Sequence, residues 1–233
     1  MYCIITGGTK GMGRSTAEIF AANGFHIALV ARSVADLQTT KAVLEERFSG
    51  VEVLIFSADL TDAAAVKQTG AAILAQWPQV DVLVNNAGTF LPGTLLDEAE
   101  GALEHMMQLN LYSAYHLTRA VAPAMVQRGR GHIFNIGSVA SLTAMNRAGS
   151  YVATKFAMLG FTRSLRLELR AHGVKVTAVL PGSTLTSSWD GLGVPDGRLI
   201  DPQEVAQAIW NAWQTGPTVC IEELLLRPQL GDY

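Results

Sequence analysis

The sequence predicts a single α/β domain: a doubly wound, Rossmann-type parallel sheet of about seven strands with helices on both faces. Three observations carry that prediction. Short apolar runs alternate with longer helical patterns down the whole chain. Most of the short runs are continuously apolar, as parallel strands covered on both faces require. A cluster of glycines lies between the first strand and the first helix.

The strands are read at residues 2–6 (YCIIT), 26–31 (HIALVA), 52–56 (EVLIF), 81–84 (DVLV), 132–136 (HIFNI), 174–180 (VKVTAVL) and 219–225 (VCIEELL). Helical patterns lie near 12–23, 34–48, 62–76, 98–127, 150–171 and 202–214. Asn23-Gly24 and His172-Gly173 read as helix stops, and Asp201-Pro202 as an N-cap followed by a first-turn proline. No repeat, linker or low-complexity segment divides the chain, so residues 1–233 are expected to form one domain.

Composition narrows the function classes. The chain is 49% hydrophobic and 16% charged, ample for one large core. A net charge of -3 without a charged tail gives no bulk attraction to nucleic acid or an anionic membrane. No apolar stretch approaches the roughly 20 residues that span a bilayer. "MYCIITGG" reaches glycine too soon for a signal peptide, so a cytoplasmic protein is expected. Cys3 and Cys220 lack metal-ligand spacing, no metal site is expected, and both thiols read as buried and reduced.

In a doubly wound sheet, ligands bind at the carboxyl ends of the strands. "TGGTKGMG" (6–13) follows the first strand and opens the first helix. Gly7, Gly11 and Gly13 let backbone turn tightly and approach a pyrophosphate at the helix N-terminus, with Thr9, Lys10 and Met12 between them. A tight turn with no ligand is the competing reading. About 20 residues beyond such glycines, NAD sites place a carboxylate for the ribose 2′-hydroxyl. Here Ala31 is followed by Arg32 and Ser33, and Lys10 adds a second cation. Two cations and no carboxylate suit the 2′-phosphate of NADP(H), unless Arg32 is only a solvated loop charge. Asp59-Leu60 ends the third strand, where Asp59 is placed either for the adenine amino group or as a helix cap, with Thr61 and Asp62 as rival caps.

"SYVATKF" (150–156) puts Tyr151 and Lys155 four residues apart, on one face of a helix. Alone, that pattern reads equally as a buried tyrosine beside a snorkelling lysine. Taken in order, "TGGTKGMG", "NNAG" at 85–88, Asn110, Ser138, "YVATK" at 151–155 and "PGSTLT" at 181–186 resemble the short-chain dehydrogenase/reductase family in its compact form, over essentially the whole chain. The resemblance implies an NADP(H)-dependent oxidoreductase acting on a small carbonyl or alcohol. It implies that Tyr151 is the general acid/base, that Lys155 lowers its pKa and holds the nicotinamide ribose, and that Ser138 holds the substrate oxygen. Asn110 would bind a water linking Lys155 to solvent. Asparagine is a modest helix former, consistent with a distortion there.

By the same resemblance, Asn85 fixes neighbouring strands while Asn86, Ala87 and Gly88 line the cofactor. Pro181-Gly182 turns beneath the nicotinamide. Thr186 meets the carboxamide or pyrophosphate, or caps the following loop. Residues 187–200 read as a glycine-rich substrate loop, with Trp189 and Leu192 as an apolar wall or Trp189 as core. Ser141, Met145 and Asn146 are further pocket candidates. A homodimer or homotetramer through helices 98–127 and 150–171 is implied, with Leu159, Phe161 and Leu165 as contacts.

Two subfamilies compete. Arg163, Arg166 and Arg170 at helical spacing, with Arg128 and Arg130 nearby, would suit docking of an acidic acyl carrier protein to a 3-oxoacyl-carrier-protein reductase. The ending "EELLLRPQLGDY" lacks that group's closing segment and resembles sepiapterin-reductase-like small-carbonyl reductases instead. Two rival classes stand apart. A non-catalytic NADP(H)-binding regulator would have no need of the Asn-Ser-Tyr-Lys set. A methyltransferase on a similar sheet would need an acid after the second strand.

Overall fold

The computed structural model describes residues 1–186, 189, 191 and 193–232. Seven strands form one sheet, all pairs parallel: β1 (Tyr2–Thr6), β2 (His26–Ala31), β3 (Val53–Ser57), β4 (Val82–Asn85), β5 (Gly131–Ile136), β6 (Val174–Pro181) and β7 (Glu223–Leu226). Their order is β3-β2-β1-β4-β5-β6-β7. The reversal between β1 and β4 opens a crevice at the carboxyl ends of these strands, where such sheets bind ligands.

The helices are α1 (Gly11–Ala22), α2 (Val34–Arg47), α3 (Ala63–Gln76), α4 (Ala102–Met107), α5 (Ser113–Arg128), α6 (Gly149–Leu169) and α7 (Pro202–Trp213). Period-2 alternation sends strand side chains into two cores. Cys3, Ile5, Ile27, Leu29, Val82, Val84 and Phe134 join Phe20, Leu37, Leu44, Val205 and Ile209 on one face. Ile4, Ala28, Val30, Leu83 and Ile133 join Val66, Ile73, Leu117, Val121 and Met125 on the other. This explains the unbroken apolar runs, since both sides of the inner strands are buried, while the edge strands β3 and β7 are only partly covered. Edge-to-face pairs lock α1 to α7, with Phe20 against Trp210 at 5.2 Å and Phe25 against Trp213 at 5.6 Å.

The expected stops and caps form. Gly24 and Gly173 take φ values of 78° and 70° after α1 and α6, and Asp201 Oδ1 accepts from Gln203 N at 2.8 Å. Three expectations need correction. The helix expected from 98 begins at Ala102, because Gly101 takes a left-handed φ of 81°. It then passes through a π-helical turn, Gln108–Tyr112, centred on Asn110. The last strand begins at Glu223 rather than 219, since its ladder to β6 starts at Ala178 paired with Glu223. Cys3 is buried, but Cys220 is only partly so; both are free thiols. No helix among the described residues is long and apolar enough to cross a membrane.

Candidate active site

The glycine turn is fixed by the neighbouring strand. Asn86 Nδ2 donates to Thr6 O (2.9 Å) and Gly7 O (3.1 Å). Thr6 Oγ1 accepts from the backbone N–H groups of Asn86 (2.9 Å) and Ala87 (3.0 Å). A Cβ on Gly13 would lie 2.3 Å from Gly7 O and 2.5 Å from Asn86 Nδ2, so only glycine fits. No side chain caps α1, and its first turn carries no acid. Its free N–H groups and positive dipole end form an anion cradle, which fits a pyrophosphate. Thr186 stands over the turn, its Cγ2 3.3 Å from where a Gly11 Cβ would be.

Asn85 ties strands as expected. Its Nδ2 donates to Asn135 Oδ1 on β5 (2.8 Å) and to Thr118 Oγ1 on α5 (3.0 Å). Asn86 spends both Nδ2 hydrogens on the glycine turn's backbone, so it braces the wall of the expected cofactor site. Leu60 is also a core residue, packed in the second cluster, while Met12 packs partly against the first. Asp62 caps α3 through Ala64 N at 2.7 Å. Asp59 instead accepts from Thr61 N (2.9 Å) and Thr61 Oγ1 (2.8 Å), and these bonds hold its carboxyl below the usual range.

Tyr151 and Lys155 share one face of α6, against the end of β5. The Ser138 hydroxyl lies close enough to the Tyr151 phenol to act on its titration. Lys155 Nζ donates to Ile136 O at 3.0 Å and stands 5.5 Å from the Tyr151 ring centroid. Burial brings Lys155 down to about 8. Burial pushes the Tyr151 phenol up, and the Ser138 hydroxyl only partly offsets that rise. The expected lowering by Lys155 does not set the direction here; burial does. The phenol favours its protonated form, the form that can donate to a carbonyl oxygen.

Asn110 is 1% exposed and its side chain is fully engaged. Oδ1 accepts from Thr89 N (2.7 Å), and Nδ2 donates to Thr89 O (3.0 Å) and Thr154 Oγ1 (3.0 Å). Thr154 in turn donates to Tyr151 O at 2.8 Å. The side chain thus clamps the loop after β4 to the helix that carries Tyr151. A relay water could meet only its backbone or the remaining lone pair of Oδ1, since both Nδ2 hydrogens are used.

The structure adds residues that sequence reasoning missed. Thr6, Thr89 and Thr154 bind across 21 to 81 positions of sequence, which no local pattern reveals. Phe90 sets its ring edge-on to Tyr151 at 5.0 Å. Asp36 pairs with Lys10 at 2.9 Å, so the cation site does hold a carboxylate. Its spacing of three from Ser33, the N-cap of α2, is the readable signal.

The loops after β4 and β5 are joined by Gly93 N to Arg147 O (3.0 Å) and by Ser150 Oγ to Glu98 Oε1. Of the pocket candidates, Met145 and Asn146 are exposed. Ser141 is buried, and its Oγ accepts from Ser138 N at 3.2 Å, so it shapes the strand end instead. Gly182 turns off β6 by donating to Leu226 O at 2.7 Å, and Ser183 N donates to Asp232 Oδ1 at 3.1 Å. Trp189 is partly buried and lines a cavity of about 300 Å³ within its own loop, with Leu185, Val194, Pro195 and Leu199. It belongs to neither main core. Leu192, its expected partner, lies outside the described residues, as do Ser187, Ser188 and Asp190.

The chain is similar to known proteins. Sepiapterin reductase of Chlorobaculum tepidum is 33% identical over 98% of this chain and 96% of its own length. The 3-oxoacyl-acyl-carrier-protein reductase of Vibrio cholerae is 31% identical over 88% of this chain and 86% of its own. The structure of L-sorbose reductase from Gluconobacter frateurii, complexed with NADPH and L-sorbose, superposes with a TM-score of 0.90 at 27% identity, covering 97% and 95% of the two chains. Residues 2–193, from the first strand past the Pro181-Gly182 turn, match the short chain dehydrogenase family profile. With the glycine turn, the clamped Asn110 and the Ser138–Tyr151–Lys155 cluster in one crevice, the chain belongs to the short-chain dehydrogenase family.

Proposed function

We propose that this protein is an NADP(H)-dependent oxidoreductase that reduces a ketone or aldehyde of a small molecule to the alcohol, reversibly. One observation carries the reading: Tyr151 and Lys155 share one face of α6 at the carboxyl edge of the sheet, with Lys155 Nζ 5.5 Å from the Tyr151 ring and bound to Ile136 O, and with Ser138 close enough to act on the phenol. The bound cofactor supplies the hydride. Ser138 and Tyr151 orient the carbonyl oxygen, and Tyr151 gives it a proton. Lys155 then faces the phenolate that remains and stabilises it. Thr9, Gly11 and the N-terminus of α1 hold the pyrophosphate, with Thr186 above. Lys10, Arg32 and Ser33 hold the 2′-phosphate, Asp59 faces the adenine, and Ala87 and Gly88 line the nicotinamide side above Pro181-Gly182. The NADPH found with L-sorbose reductase supports the cofactor assignment.

A small carbonyl substrate is favoured over a carrier-protein thioester because three of the five arginines suited to such docking are already paired with carboxylates. Arg163 binds Glu223 (2.8 Å), Arg166 binds Glu222 (3.0 Å) and Arg128 binds Asp81 (3.0 Å). Phe90, Leu142 and Met145, each exposed around the Tyr151 crevice, offer an apolar rim to such a substrate. The test is NADPH consumption with 3-oxoacyl thioesters, 1,2-diketones, pterin side-chain ketones and simple aldehydes, with Tyr151→Phe in parallel. Turnover that survives in the variant would overturn the role of Tyr151. Full cellular function without turnover would favour a regulator.

The protein is also proposed to act as a homodimer or homotetramer through α5 and α6. Leu111, Tyr112, Tyr115, His116 and Phe161 line an apolar groove of about 330 Å³, and Phe156 is exposed beside it on α6. Leu159 and Leu165 are excluded as main contacts, because Leu159 packs on Ala178 and Leu180 and Leu165 joins the second core. Tyr112→Glu should lower the mass measured by light scattering to that of a monomer. An unchanged mass would remove this face as the interface.

A further inference from the structure

The end of the crevice assigned to the adenosine ribose is electrostatically self-compensated. Lys10 Nζ lies 2.9 Å from Asp36 Oδ2, joining the glycine turn to the first turn of α2. Asp36 also sits against Ser33: its backbone N–H donates to Ser33 Oγ at 3.2 Å, and the Ser33 hydroxyl helps to lower its carboxyl. Lys10 holds that carboxylate below its usual range. Arg32, exposed at the end of β2, lies within electrostatic reach of Asp59. The two carboxylates differ in kind. Asp59 is bound into its own turn by Thr61, whereas Asp36 occupies Lys10, and its backbone N–H meets Ser33, two of the three groups assigned to the 2′-phosphate.

We propose that Asp36 is a cofactor-selectivity residue: its carboxylate competes with the ribose 2′-phosphate for Lys10 and Ser33, and so holds down the preference for NADP(H) over NAD(H). The inference rests on the NADP(H) reading above. A phosphate arriving at Lys10 must displace Asp36 or bind beside it, like charge against like. A cofactor without the 2′-phosphate meets no such competitor. Lys10 and Asp36 are both solvent-exposed, with side chains 71% and 38% accessible, so the effect is modest and screened by salt.

The experiment is calorimetric titration with two fragments that differ only in the 2′-phosphate, 2′,5′-ADP and 5′-AMP. It compares the wild type with Asp36→Asn and with Asp36→Glu, which keeps the charge. Asp36→Ala is the second neutral variant, in case asparagine disturbs the start of α2. The neutral variants should bind 2′,5′-ADP about three- to five-fold more tightly at low salt, and the gain should shrink as salt is added. Binding of 5′-AMP should stay unchanged, and Asp36→Glu should behave as the wild type. Unchanged or weaker 2′,5′-ADP binding in both neutral variants would overturn the proposal and make Asp36 at most an organiser of Lys10. A wild type that binds 5′-AMP as tightly as 2′,5′-ADP would instead overturn the NADP(H) reading, and this inference with it.

Discussion

Lys155 and His132 are both buried bases, and burial lowers both, Lys155 to about 8 and His132 to about 3. They sit at opposite ends of β5. Lys155 stands at the carboxyl edge beside Tyr151, with one of its three N–H donors on Ile136 O. His132, second residue of the strand, is sealed in. Its ring stacks on Phe134 at 3.9 Å and lies 6.3 Å from Trp213. Its Nε2 meets Thr177 Oγ1 at 2.7 Å, and that hydroxyl donates to Ile221 O at 2.5 Å. Thr177 must therefore accept, which places the His132 proton on Nε2 and leaves Nδ1 bare, without a partner among the described residues. A perturbed titration thus marks a buried base, not a functional one. What separates the two is a neighbour able to exchange a proton with a ligand.

The largest effect expected from this contrast is on rate. Tyr151→Phe removes the proton donor at the carboxyl edge and should lower kcat by about 10²–10⁴. The dissociation constant for NADPH, read by fluorescence titration, should hardly move, since the ring and its Phe90 contact remain. His132→Gln should leave kcat alone. A large fall in kcat there would break the comparison.

The next effect is on acid stability. An unfolded histidine takes up a proton near 6.5, while folded His132 resists it down to about 3. Between those values the unfolded chain holds more protons, so stability is lost as pH falls through the window. The loss is on the order of 4–5 kcal/mol at its lower end. Denaturant melts from pH 7 to pH 3 should show a steep slope for the wild type and a shallower one for His132→Gln. Equal slopes would mean that His132 is not sealed.

This comparison also shows what the sequence could tell. The strands were legible because unbroken apolar runs demand two covered faces, and Ile4 and Ile5 do enter opposite cores. The Tyr151–Lys155 face was legible because a four-residue spacing is local. The start of the last strand was not, since Val219 is an apolar residue left 49% exposed ahead of the β6 ladder. Nor was the clamp of Asn110 on Thr89, which depends on a π-helical turn and a contact 21 residues away. The Lys10–Asp36 pair spans 26 positions and was missed; the Ser33–Asp36 spacing marks a helix cap but not the lysine that joins it. Charge signs near a site are legible; which charges neutralise each other depends on how the chain folds back.

The smallest effect tests Lys155 with the sign worked through. An unfolded lysine keeps its proton to about 10.4, whereas folded Lys155 gives it up near 8. Between these values the unfolded chain binds more protons, so stability rises with pH across the alkaline window, by about 3 kcal/mol. Below the window the protein bears the cost of a buried ammonium. Lys155→Met should therefore lack the alkaline gain and be more stable near neutral pH by about 1–2 kcal/mol, the lost hydrogen bond to Ile136 O offsetting part of the relief. It should also be inactive. Stability gained together with activity lost would show that the ammonium is kept at this edge for its chemistry. A variant that was inactive and less stable would instead make Lys155 a structural brace, and the two ends of β5 would no longer differ in kind.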